Sequence, residues 1–116
     1  MKDTPDFPNH GALVCILDAI PRDERPAHLD LLARLFRERC RERQDIPNGY
    51  AFRFDAAAFE DVSRFVGNER RCCPFLSFTF ELAPDPGPLW LRIFGPPGTR
   101  AFLEAELPAL SHEANR

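Results

Sequence analysis

Between Leu76 and Leu82 the chain alternates without a break, large apolar against polar, and after a proline-rich turn it returns as Leu89-Trp90-Leu91-Arg92-Ile93-Phe94. A period of two sends successive side chains to opposite faces of a strand, so both segments read as strands with one buried face. Ala83-Pro84-Asp85-Pro86-Gly87-Pro88 between them is turn chemistry, which makes the pair a hairpin. A lone hairpin is marginal in water. The rest of the chain must therefore add strands beside it and lay helices over its Leu76/Phe78/Phe80/Leu82 row.

The other segments are of the right kind. Ala12-Leu13-Val14-Cys15-Ile16-Leu17 is a short apolar run that suits a buried strand. From Pro26, the three-and-four spacing of Leu29, Leu32, Leu35, Phe36 and Cys40 predicts a helix to about Arg43, with Cys40 on its core side. Asp45-Ile46-Pro47-Asn48-Gly49 is a turn, and Tyr50-Ala51-Phe52-Arg53-Phe54 alternates as a strand. Asp55 is placed to cap a second helix that gathers Phe59, Val62, Phe65 and Val66 on one side. A third helix over Thr99 to Leu110 is bent or ended by Pro108. The order β-α-β-α-β-β-α predicts an α+β fold, a two-layer sandwich with helices on one face of a mostly antiparallel sheet. One domain then spans residues 12–110, between a mobile arm (1–11) and a frayed tail (111–116). Arg53, Thr79, Glu81 and Arg92 fall on the second face together with Trp90 and Phe94. Two large aromatics on a polar face read first as a homodimer contact and second as a small-molecule platform.

Composition narrows the function classes. The 116 residues carry 15 basic and 18 acidic side chains, a formal net charge of -3, and so lack the basic field that holds a phosphate backbone. Glu38 and Glu42 interrupt the one basic run, Arg34 to Arg43, so nucleic acid is not an expected partner. Gly95-Pro96-Pro97-Gly98-Thr99 lacks the lysine of a phosphate loop and reads as a turn. No stretch approaches the roughly 20 apolar residues of a membrane span, and the acidic, proline-broken start is unlike a signal sequence. A cytoplasmic location is expected, where the four cysteines are thiols or ligands rather than a disulfide framework. The eleven phenylalanines are core material.

The residues that promise chemistry stand at the junction Asn68-Glu69-Arg70-Arg71-Cys72-Cys73-Pro74-Phe75. The helical period of Phe65 and Val66, extended by seven, puts Cys72 and Cys73 on the core side of the last turn, and Pro74 ends the helix there. Adjacent residues on a helix point about 100° apart, but the break at Pro74 can turn both sulfurs toward one point. Two or three sulfurs suit Hg(II), Cu(I), Zn(II) or a trivalent arsenical. Cys15 is the candidate third ligand, ahead of Cys40. Glu69 reads first as a surface carboxylate paired with Arg70 or Arg71 and second as a proton acceptor or hard ligand beside the thiols. His10, His28 and His112 fall at no ligand spacing from the pair. Arg70 and Arg71 favour the thiolate, whereas the helix C-terminus opposes it.

This segment resembles a family of small, functionally uncharacterised bacterial proteins that share an E-R-x-C-C-P-F signature and are often associated with mercury or other metal resistance. The resemblance runs from Cys15 onward; Glu69, Arg70, Cys72, Cys73, Pro74 and Phe75 match the signature, and Cys15 matches more weakly. It implies a metal- or thiol-related role and no particular reaction. Three readings stay open: soft-metal binding through Cys72, Cys73, Cys15 and Glu69 without catalysis; a thiol redox or nucleophilic enzyme using Cys72 and Cys73; and a dimeric interaction module in which the cysteines are small buried hydrophobes.

Overall fold

The computed structural model describes residues 19–84 and 86–107. The expected first strand with Cys15, the arm and the tail lie outside the described residues. A 3-10 turn at Arg22–Glu24 leads into α1 (Arg25–Arg34), which takes Pro26 in its first turn, where a missing N–H costs nothing. The chain then makes a π-helical turn over Leu35–Arg39 and continues as β1 (Cys40–Ile46), β2 (Gly49–Phe54), a 3-10 turn at Ala56–Ala58, α2 (Phe59–Cys72), β3 (Ser77–Leu82), β4 (Leu89–Phe94) and α3 (Thr99–Glu106). The four strands form one antiparallel sheet in the order β1-β2-β4-β3, an α+β fold.

Strand β1 replaces the expected end of the first helix. Helix α1 stops at Arg34, and Cys40, read as helical core, opens a strand that pairs with β2 from Ile46↔Gly49 to Cys40↔Phe54. Pro47 and Asn48 make the two-residue turn, with Asn48 in the left-handed region at φ 56°. At an edge of the sheet among the described residues, the charges of Arg41-Glu42-Arg43 are no obstacle: Glu42 pairs across the strands with Arg53, and Arg41 reaches Asp55. That contact also draws the Asp55 side chain away from the helix start it was expected to cap.

The core lies between the helices and one sheet face. Tyr50, Phe52 and Phe54 of β2 and Leu89, Leu91 and Ile93 of β4 are buried against Leu31, Leu35, Phe36, Val62, Phe65 and Leu103. Phe36 is its hub, packing edge-on against Phe52, Phe54 and Phe65 at 4.9–5.9 Å. Trp90, Arg92 and Phe94 alternate out of that core onto the other face, half-buried, as the pattern required. The helical cover thins along β3: Leu76, just before it, is buried and Phe78 packs partly against the core, but the far end of the strand is left open. Phe80 is 39 % and Leu82 57 % exposed although both share the inner face, and Phe59, expected in the core, is 41 % exposed beside Phe80. Helix α3 ends at Glu106, just before Pro108. No helix among the described residues is long and apolar enough to cross a membrane.

Two glycines test this packing in opposite directions. A Cβ on Gly49 would run into the Ile93 carbonyl oxygen, backbone that cannot yield, whereas one on Gly67, in the exposed middle of α2, would meet nothing within 4 Å. Gly67→Ala is expected to stabilise the fold by roughly 0.5–1 kcal/mol and Gly49→Ala to destabilise it by about 2 kcal/mol or more, read as opposite shifts of the urea midpoint.

Candidate metal centre

Helices α1 and α2 pack against one another, and each brings one polar residue to the contact. On α1, His28 continues the stripe of Leu31, Leu32 and Leu35, and its side chain is 2 % exposed. On α2, Glu69 continues the stripe of Val62, Phe65 and Cys72. The two meet at 2.8 Å, His28 Nε2 to Glu69 Oε2, with the imidazole nearly parallel to the Phe65 ring. Glu69 is therefore not the surface partner of Arg70 or Arg71 that its neighbours suggested. It is a buried carboxylate, a group that persists in a core only when its oxygens find donors.

The hydrogen-bond network fixes the imidazole tautomer. Arg71 Nη2 donates to Asn68 Oδ1 at 2.7 Å, and because a guanidinium only donates, the amide oxygen of Asn68 must face it. The amide nitrogen of Asn68 is then the atom 3.2 Å from His28 Nδ1, so Nδ1 accepts. That leaves the proton on Nε2, which donates it to Glu69.

The cysteine pair closes the cluster from below. Cys72 is the last residue of α2, Cys73 turns out of the helix at φ -127°, ψ 74°, and both are buried. Their sulfurs lie 3.7 Å apart; Cys72 Sγ is 4.0 Å from Glu69 Oε2, and Cys73 Sγ is 3.4 Å from Oε1. Cys72 and Cys40 carry thiols, while Cys73 is in a disulfide, which differs from the all-thiol expectation. Cys73 accordingly has no proton to give, and its approach to Glu69 is a contact. Cys40 stands away from the pair with its thiol on the Glu42 carbonyl, and Cys15 lies outside the described residues.

His28, Glu69 and Cys72 thus present three buried ligand atoms, all within 4.8 Å of one another. The opposing influences on the thiol resolve toward the protonated form. Burial first, then the charge of Glu69, push Cys72 up to about 12, and the opposing pull of Arg71 is smaller. Glu106 at the end of α3 feels the same acidic neighbourhood: burial and the Glu69 charge raise it. The centre is short of positive charge, and a cation would relieve it. A cavity of about 330 Å³ between α1 and α2 is lined by His28 and Asn68, with Glu24 and Asp30 also on its wall.

No family model, curated protein or solved structure is detectably similar to the chain.

Cys72 should behave as an unreactive thiol with a sign-defined pH dependence. Because its folded value is raised, its contribution to stability is complete below the unfolded thiol range near 8.5 and is lost as pH rises through about 12. Iodoacetamide labelling of Cys72, followed by peptide mass spectrometry, is expected to be far slower at pH 8 in folded than in unfolded protein. Glu69→Gln, which removes the second cause, is expected to move the labelling midpoint to lower pH.

Proposed function

We propose that the protein binds one divalent transition-metal ion, Zn(II) foremost, between α1 and α2, with His28, Glu69 and Cys72 as ligands. The observation that carries this reading is the set of three buried ligand atoms within 4.8 Å of one another. In tetrahedral zinc sites, metal–ligand bonds of 2.0–2.3 Å place the ligand atoms about 3.3–3.8 Å apart, so the ion would spread His28 and Glu69 from their 2.8 Å contact and draw Cys72 in from 4.0 Å. The 3.7 Å between the two sulfurs already matches the sulfur–sulfur edge of such a site, and Cys73 becomes a fourth ligand once its disulfide is reduced.

The donor set refines the range of metals suggested by the cysteines alone. Two sulfurs by themselves favour Hg(II) or Cu(I); an imidazole and a carboxylate beside one thiolate shift the preference to borderline Zn(II). The burial of all three donors suits holding an ion more than turning over a substrate. The nucleophilic alternative fares worse, since a thiol held near 12 is thiolate in only about one molecule in 10⁵ at pH 7. A bound dication reverses that balance, because it displaces the proton and takes the thiolate as ligand.

Native mass spectrometry and chelator competition on the full chain test the reading. The expected result is one Zn(II) per chain, with affinity falling at least tenfold in His28→Ala, Glu69→Gln and Cys72→Ser, while Arg70→Ala, an exposed neighbour, is unchanged. Prior reduction with a dithiol is expected to tighten binding in the parent and leave Cys73→Ser unaffected. Absence of zinc binding, or equal affinity in the parent and the three ligand variants, overturns the assignment.

A further inference from the structure

The atom of His28 that faces the cluster is Nε2, and in the hydrogen-bonded network Nε2 carries the proton. A metal ion can bond that nitrogen only through its lone pair, so loading requires the proton to sit on Nδ1 instead. Nδ1 points at the amide nitrogen of Asn68, which is itself a donor and would oppose a second N–H. Asn68 is held in that orientation because Arg71 occupies its oxygen at 2.7 Å.

We propose that Asn68, set by Arg71, is the positioning residue of the metal centre, a latch that holds His28 in the tautomer unable to ligate. This inference rests on His28 being a ligand. On loading, the Asn68 amide rotates so that Oδ1 accepts from Nδ1–H and the Arg71 bond is released. Arg71 retains Glu24, whose carboxylate stands 3.6 Å from its Nη2. Across the exchange the imidazole gains one N–H and loses another. Cys72 gives up its thiol proton, so loading at neutral pH releases about one proton to solvent. Asn68 is half-buried on the wall of the cavity between the helices, where its amide has room to turn. After rotation it would do what carbonyl and carboxylate partners do for metal-bound histidines, which is to fix the ring and raise its basicity.

The decisive comparison is Arg71→Ala against Arg70→Ala. Both remove one positive charge from the same helical turn, but only Arg71 holds Asn68. The latch predicts that Arg71→Ala binds Zn(II) roughly threefold to tenfold tighter than Arg70→Ala, measured by competition with a chromophoric chelator. Nitrogen-15 NMR of the full chain supplies a signature that a merely structural role would not move. His28 is expected to show Nε2–H in metal-free protein and Nδ1–H in zinc-loaded protein, with the metal-free Arg71→Ala variant already shifted toward Nδ1–H. If zinc binds and His28 ligates, but Arg71→Ala and Arg70→Ala match and the metal-free tautomer is Nδ1–H, the latch is overturned while the metal centre stands. If the parent binds no zinc, the centre and the latch fall together.

Discussion

The 2.8 Å contact between His28 Nε2 and Glu69 Oε2 is the constraint on which the arrangement of the two long helices depends. A buried carboxylate is tolerable only with donors in place, and losing its partner costs on the order of 3–5 kcal/mol. The pair spans 41 residues of sequence and therefore fixes the rotation and axial position of α1 against α2 more narrowly than apolar packing does. Leu31, Leu35, Val62 and Phe65 would tolerate a small slide of one helix along the other; a 2.8 Å hydrogen bond would not. Once α2 is set, its last turn delivers Cys72 to the carboxylate and Pro74 forces the exit that keeps Cys73 beside it.

From that placement follows the chemical character of the site. A thiol, a carboxylate and an imidazole are packed away from water with a single proton on the imidazole, and burial first, then the charge of the carboxylate, holds Cys72 in its neutral form. The same features that disfavour the Cys72 thiolate underlie the proposed metal reading, in which a dication would supply the missing positive charge and a bond for each donor. The arginines of the E-R-x-C-C-P-F segment act at one remove. Arg71 engages Asn68 and Glu24, and neither Arg70 nor Arg71 faces Glu69 in a salt bridge among the described residues.

How much of this was legible in the sequence depended on whether the signal was periodic. The β3–β4 hairpin, β2 and the stop of α2 at the cysteines followed from alternation and from Pro74, and they were right because apolar period and backbone restriction agreed. Strand β1 was not legible. Cys40-Arg41-Glu42-Arg43-Gln44 has no apolar alternation, and as an edge strand it needs none, so a helical reading ran on through it; the turn at Pro47-Asn48 was the one hint of a hairpin. Phe80 and Leu82 showed the right face but not that the helical cover stops short of the edge. In the site, Cys72 and Cys73 were found through their chemistry, while His28 was missed because it was tested for spacing against cysteines 44 and 45 positions away rather than for its stripe. His28 shares a face with Leu31, Leu32 and Leu35, and Glu69 shares one with Phe65 and Cys72. Two lone polar groups on two apolar stripes are each other's natural partners, and that was the available signal.

X-ray absorption at the zinc edge of the loaded full chain tests the metal centre most directly. The account predicts one sulfur neighbour at about 2.3 Å together with nitrogen and oxygen neighbours near 2.0–2.2 Å and the outer-shell scattering of one imidazole, rising to two sulfurs after reduction. A shell of nitrogen and oxygen alone, or one without imidazole that survives His28→Ala, would place the ion elsewhere and contradict it.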